Sequence, residues 1–333
     1  MSTDFTPFGG RRIFYGIGHR WDFGWRSHEV RTAQEAASHA AAVAAMPGFR
    51  IDGGSNDDNK VCLWDCWRHP TVVAQTGGKV FPGFHQLTGS CVGAGGGNTI
   101  FSLAAVEVVR LGDPEQALIP FWPLPYGRSR ALAGMHGRGE GSLGSTFAQA
   151  MREDGIVEAS LNGLPIFKDN DGIYYTESIE MTWSDGDRAP AALLALARKH
   201  LVKTTAPIHN ADALREAIRN YYPCSFAGDW GGLMHCPTAG TPPVLLNRRA
   251  DTWDHQQSVH GWWDHPTLGE IFYVMNNWGL DTHGRCPSGA PAGGYWIKKA
   301  DADYQCRTGE VFAFSQFQGF PAQKFSWGLG DER

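Results

Sequence analysis

The hydrophobic pattern of the chain changes period about two thirds of the way along. In the first part, apolar residues recur at helical spacing. Ile100, Leu103, Ala104, Val106 and Val108 mark one face of a helix that runs out at Gly112. "GSLGSTFAQAMREDGIV" predicts a second helix, capped near Ser142 or Ser145 and stopped at Gly155. "APAALLALARKHL" predicts a third, with Pro190 in its first turn, and "NADALREAIRNYYP" a fourth, with Asn210 as N-cap and Pro223 just past its end. Nearer the start, the Ala-rich "SHEVRTAQEAASHAAAVAAMPGF" reads as a helix with Ser27 as N-cap and Pro47-Gly48 as its stop. After Pro223 come short aromatic and β-branched runs, "CSFAGDW", "HQQSVHGWW", "EIFYVMNNWG" and "GGYWIKK", separated by Gly, Pro and Asp. These are strand signals. Helices first and strands second predict an α+β protein with two lobes. The polar turn-rich stretch Asp52–Lys60 sets off an N-terminal extension, residues 1–60, which reads as a pro-region, a docking arm or ordinary packing; with no cleavage signal in it, docking or packing is the expectation.

Composition adds limits. A chain of 333 residues with 42% apolar and 19% charged residues can bury a sizeable core. A net charge of −5 without a dense Lys/Arg cluster argues against a nucleic-acid partner. No run of about 18 apolar residues predicts a membrane span. The first residues lack the basic start and apolar core of a secretory signal, so the expected location is cytoplasmic, or packaged in a particle. Seven cysteines, with no secretory context, are expected as reduced thiols, one of them reactive. The Cys62/Cys66 pair lacks further zinc ligands at the usual spacing, so no metal is expected.

One stretch carries candidate chemistry. "FHQLTGSCVGAGGGNTIFSLA" holds a cysteine, a cluster of glycines and then the apolar helix pattern. A phosphate cradle needs Gly-Lys-Ser/Thr after the glycines, which is missing. A nucleophile elbow at Gly89-Ser90-Cys91-Val92-Gly93 needs a buried apolar strand before it, and "KVFPGFHQLT" is a poor one. The third reading puts Cys91 at a helix N-terminus, where a thiolate is favoured, with the glycines as a turn ahead of the helix proper. It requires a histidine, which His255 at the head of a strand supplies, and a side chain to orient it, which Asn276 at a strand end supplies.

In this order the residues resemble the papain-like cysteine peptidases, over roughly Val61 to Phe320. That family has Gln before Gly-Ser-Cys, a His strand ending in Gly-aromatic, and an Asn-Ser-Trp-Gly motif ahead of a Gly-Tyr strand. Here stand Gln86, Gly89-Ser90-Cys91, His255 before "GWWD", Asn276 in "NNWG", and "GGYWIKK". The segment around Gly141 and Ser142 resembles the family's cleft loop. The resemblance implies a papain-like two-lobed fold within a domain spanning 61–325. A helical lobe (about 85–200) and a β-barrel-like lobe (about 205–320) would flank the active-site cleft. It implies hydrolysis of peptide bonds in a peptide or protein substrate, without a cofactor. Cys91 is then the nucleophile, His255 the base, Asn276 its orienter and Trp278 a cover for their hydrogen bond. Gln86 and the Cys91 N–H form the oxyanion hole, where one donor is worth about 3 kcal/mol. Gln86 stands five residues before Cys91 where the family has six; His85 occupies that strict position, so either residue is a candidate donor. Asn277 stands where the family has Ser, and Val92 where many members have Trp.

The remaining candidates read as structural. His260 is expected to pack or lie at the surface, away from His255. His235, His265 and His283, in Gly/Pro-rich loops, are expected to be exposed, and Glu140 to be a solvated carboxylate. A second function class stays open: a papain-like subunit with little turnover that docks through its N-terminal extension into a larger assembly, such as a virus particle.

Overall fold

The computed structural model describes residues 20–323, apart from 23, 29–30, 53–57, 111–118, 136, 138, 160–166, 170–171, 186–188, 251 and 288. The helices are α1 (Ala33–Ala44), α2 (Trp64–Trp67), α3 (Pro70–Gln75), α4 (Cys91–Arg110), α5 (Pro123–Leu132), α6 (Gly144–Glu153), α7 (Glu177–Trp183), α8 (Ala191–Ala197), α9 (Ala211–Arg219) and α10 (Lys299–Thr308). The strands are β1 (Arg20–Asp22), β2 (Lys60–Cys62), β3 (Phe84–His85), β4 (Phe167–Asp169), β5 (Gly172–Tyr174), β6 (Thr204–Pro207), β7 (Cys224–Trp230), β8 (Thr238–Ala239), β9 (Val244–Leu245), β10 (Thr252–His265), β11 (Gly269–Met275), β12 (Gly294–Lys298) and β13 (Glu310–Ser315).

Helix α4 is the axis of the molecule, and it corrects one expectation. The glycines do not form a turn ahead of the helix; Gly93, Gly95, Gly96 and Gly97 lie inside it, and the helix starts at Cys91 itself. Each glycine costs about 1 kcal/mol relative to Ala in a helix interior. Close packing offsets this. A Cβ on Gly95 would sit 2.8 Å from the Gln256 carbonyl oxygen of β10, and Cβ atoms on Gly93 and Gly96 would strike the Trp122 and Phe147 rings. The bare helix face thus lets β10 lie directly against the first turns of α4. The helix is long and apolar enough to cross a bilayer, but 94% of that stretch is buried within the protein, as befits a core helix. The expected stop at Gly112 lies outside the described residues.

The large sheet follows the order β12-β11-β10-β7-β13-β6, with β1 and β2 both paired to β10. Its pairings along this path are antiparallel; β1 alone joins in parallel, Arg20 opposite Thr252 and Asp22 opposite Asp254. The β7–β10 ladder shifts register between Thr252 and His255. Such irregularities re-aim a side chain at a functional position. A small sheet, β3-β5-β4, lies beside the segment leading to Cys91.

Several caps differ from expectation. Helix α1 starts from a Thr32/Glu35 capping box, not from Ser27. Neither Ser142 nor Ser145 caps α6; the Glu310 carboxylate of β13 accepts the Ser145 N–H at 2.7 Å. Asn210 caps α9 as predicted, accepting the Ala213 N–H at 2.8 Å. No disulfide joins any two of the seven cysteines.

Candidate active site

Cys91 heads α4 and is fully buried. The β10 backbone reaches it directly: the Gln256 N–H donates to Cys91 Sγ at 3.3 Å. The Asn277 amide donates to both the Cys91 and Gln256 carbonyls, each at 3.3 Å, tying the helix start to the strand. Asn277, standing where the family has Ser, is therefore a clamp between two elements.

The loop before Cys91 is held from three sides. Gln86 is fully buried; its N–H donates to the Asn277 carbonyl at 2.9 Å and its side-chain amide to the Thr88 carbonyl at 2.8 Å. His85 is also buried, on β3. Glu180 of α7 accepts from the Leu87 N–H (3.1 Å), the Thr88 hydroxyl (2.6 Å) and the Ser90 hydroxyl (2.7 Å). Burial pushes the Glu180 carboxyl up to about 7, against the hydrogen bonds that favour its charged form. Glu140, exposed as expected, also accepts the Gly89 N–H. The Tyr126 hydroxyl donates to the Gly89 carbonyl at 3.1 Å and accepts the Gly141 N–H at 3.0 Å.

His255 precedes Gln256 on β10. Its Nε2 lies 2.7 Å from Asn276 Oδ1, and its ring stacks on Trp278 with centroids 4.6 Å apart. Both Asn276 and Trp278 are buried. Burial drives the His255 imidazole down to about 3; its bond to Asn276 opposes this and nearby His283 adds to it. Burial thus favours the neutral imidazole.

Two of the loop histidines expected to be exposed are buried: His265, and His283, which is fully covered. His283 Nε2 lies 2.7 Å from Asn276 Nδ2 and its Nδ1 3.0 Å from the Met234 carbonyl oxygen. His260 packs within the protein, fully buried between the Ser102 and Ser258 hydroxyls at 2.9 and 2.6 Å. Among the described residues, no group of three His, Cys, Asp or Glu side chains is arranged to hold a metal ion.

The described residues between Arg20 and Ser27 lie against the elements of this site. The strand β1 runs beside Thr252–Asp254, ending one residue before His255. The Trp25 N–H donates to the Asp254 carbonyl at 3.4 Å. Both main-chain groups of Ser142 are engaged: its N–H donates to the Gly24 carbonyl (2.8 Å), and its carbonyl accepts the Arg26 N–H (2.9 Å). Gly24, at φ +110, abuts the Gly89 carbonyl where no Cβ would fit. This strap is anchored behind by Arg31, which pairs with Glu310; both side chains are almost fully buried. On α1, His39 Nδ1 lies 2.9 Å from the Ser145 hydroxyl. The described part of the N-terminal extension thus packs on the chain's own body.

The sequence reading missed Glu180, His283 and the strap. Glu180 lies about ninety residues from the loop it holds, in a helix whose spacing marks nothing special. His283 sits in "LDTHGRCPSG", which reads as ordinary loop. The fold brings Glu180 and the strap to the site; His283 follows the Asn276 motif by seven residues, and what the sequence hides is its burial.

No protein-family model matches the chain, and no curated protein matches it by sequence. Among solved structures it is similar to xylellain, a cysteine protease from Xylella fastidiosa. The identity is 14% and the TM-score 0.50, over 89% of this chain and 92% of that one. It is similar also to procathepsin B S9 from Trypanosoma congolense, at 12% identity and a TM-score of 0.53, over 87% of this chain and 92% of that one. At such identities the likeness is one of fold. The chain has the α+β fold of the papain-like cysteine proteases.

Proposed function

We propose that the protein is a cysteine peptidase, held latent by its own N-terminal strap. The observation that carries the reading is the 2.7 Å bond from His255 Nε2 to Asn276 Oδ1 beneath Trp278, with Cys91 Sγ bonded to the next residue of the same strand. In the reaction, the Cys91 thiol proton passes to His255 Nδ1 and the sulfur attacks the scissile carbonyl carbon. The carbonyl electron pair moves to oxygen, facing the Cys91 N–H at the head of α4 and the Gln86 amide. That amide carries a second hydrogen beyond the one held by Thr88. As the intermediate collapses, the C–N bond breaks and the proton on Nδ1 goes to the departing amine. Water then cleaves the thioester, its proton passing through Nδ1 back to the sulfur.

Gly141 and Ser142 belong to the substrate cleft in this reading. Ser142 offers a peptide one N–H and one carbonyl, the same two groups the strap now occupies.

The test compares the chain with its Cys91→Ala variant, each intact and after cleavage within the strap. Labelling by a thiol-alkylating probe and hydrolysis of an unstructured protein are measured. The expected result is that strap cleavage raises both in the parent chain, while Cys91→Ala abolishes both. Undiminished hydrolysis by the Ala variant would sink the mechanism.

A further inference from the structure

The catalytic reading leaves a buried histidine without a role. His283 is fully buried and touches Asn276 rather than His255. Its two bonds decide which way round three side chains must sit. The Met234 carbonyl oxygen can only accept, so His283 Nδ1 carries the proton. In a neutral imidazole the other nitrogen is then an acceptor, so Nε2 takes a hydrogen from its partner. That partner is the amide of Asn276, whose NH2 must therefore face His283 and whose oxygen must face His255. The same oxygen accepts the Asn277 N–H at 2.8 Å, which agrees with this orientation. An oxygen facing His255 Nε2 requires Nε2 to carry the proton. The lone pair of the neutral ring is then on Nδ1.

We propose that His283 is a positioning residue: by accepting the Asn276 amide hydrogen it fixes the amide orientation, and with it the tautomer of His255 that leaves Nδ1 as the base. The role of Nδ1 rests on the peptidase reading; the orientation relay does not. An asparagine alone is a poor orienter, because its amide can turn end for end and present NH2 to the histidine instead. The resulting tautomer would carry its proton on the wrong nitrogen. Which ring nitrogen is protonated is set by the bond the other makes, and His283 sets it one residue further back.

Shape and polarity support the relay. His283 packs against the rings of Tyr295 (4.6 Å), Trp278 (6.0 Å) and Trp253 (6.3 Å), which leave it no room to swing. The titratable groups around it are His255 across Asn276, His235 and Cys236 on the neighbouring segment, and Tyr295, whose hydroxyl is bonded to Gln257. Burial holds the His283 ring itself neutral, down to about 4, which keeps Nε2 an acceptor.

The experiment reads tautomers directly by proton–nitrogen correlation spectra of the imidazole rings in the full chain at neutral pH. His283 is expected as the Nδ1–H form and His255 as the Nε2–H form. In His283→Leu, the His255 signal should become a mixture of tautomers. After strap cleavage, kcat should fall about tenfold or more with KM within about twofold, the pattern of a lost orienter. His283→Gln should recover most of both, since its oxygen can accept from Asn276 and its NH2 can donate to Met234. In Asn276→Asp, the carboxylate facing Nε2 should draw a proton onto His283 and raise its titration above about 4. An unchanged His255 tautomer in a folded His283→Leu variant overturns the proposal, as does a wild-type His283 found as the Nε2–H form. Should the tautomer relay hold while Cys91→Ala still hydrolyses protein, the peptidase reading fails and the positioning role stands.

Discussion

Three donors of the loop that ends at Cys91 converge on one carboxyl, that of Glu180. A buried N–H or hydroxyl left without an acceptor costs about 1–3 kcal/mol. Glu180→Ala strands three such groups at once, softened by whatever water enters the space. The expected loss is about 3 kcal/mol of stability in urea unfolding, with Glu180→Gln, which keeps one acceptor, losing about half as much. A variant as stable as the parent would mean the loop holds its shape unaided. Sequence alone carried the identity of the cysteine loop but not its support. Cys91, His255 and Asn276 are recognisable because each sits in a local pattern with its own turn or strand signal. Glu180 acts across the fold, with nothing in its neighbourhood of the sequence pointing to the site, and His283, seven residues past Asn276, sits in a Gly/Pro-rich run that reads as exposed loop.

At the level of elements, the α4–β10 contact decides the geometry, and glycine makes it possible. Gly95→Ala should improve helix propensity by about 1 kcal/mol yet destabilise the protein, because overpacking a close backbone contact costs about 1–3 kcal/mol. Its added methyl would press on the Gln256 carbonyl, on the same peptide strand that bonds Cys91 Sγ. Thermal unfolding reads the stability, and a rise in midpoint would show that strand and helix have slack. The helices over Asn210–Pro223 and Pro190–His200 were legible from periodicity and caps. The start of α4 was not, because glycine in a sequence signals a turn, and only packing reveals that here it signals a neighbour. The same limit hid the α6 cap: the acceptor is Glu310, 165 residues away from Ser145. The two prolines in the first turn of α5 likewise break the pattern by which a helix is recognised.

At the level of the whole molecule, buried imidazoles make the fold sensitive to acid. His255, His260 and His283 are held at about 3, 3 and 4 by burial, below the 6.5 of an unfolded histidine. The folded state refuses protons that the unfolded chain accepts. The stability they confer is present above pH 6.5 and drains as pH falls toward 4. Glu180 acts oppositely: its folded value near 7 lies above 4.5, so its contribution is present below 4.5 and lost as pH rises through 7. Three groups outweigh one, and each unit of separation is worth about 1.4 kcal/mol. Urea midpoints should therefore fall between pH 6.5 and 4, and His260→Gln, with both its hydroxyl partners kept, should flatten that slope. A midpoint that climbs over this range would contradict the burial of these rings.

The strap across Gly89, Ser142 and Asp254 also changes what concentration means for this protein. A separate inhibitor leaves its target on dilution. A segment of the same chain is present at a fixed local concentration, of order millimolar for a short tether, however few copies are in solution. The latency proposed above would therefore not fade on dilution. It would yield to a ligand that displaces the tether at Ser142, or to a cut in the tether, which turns a standing equilibrium into a one-way event.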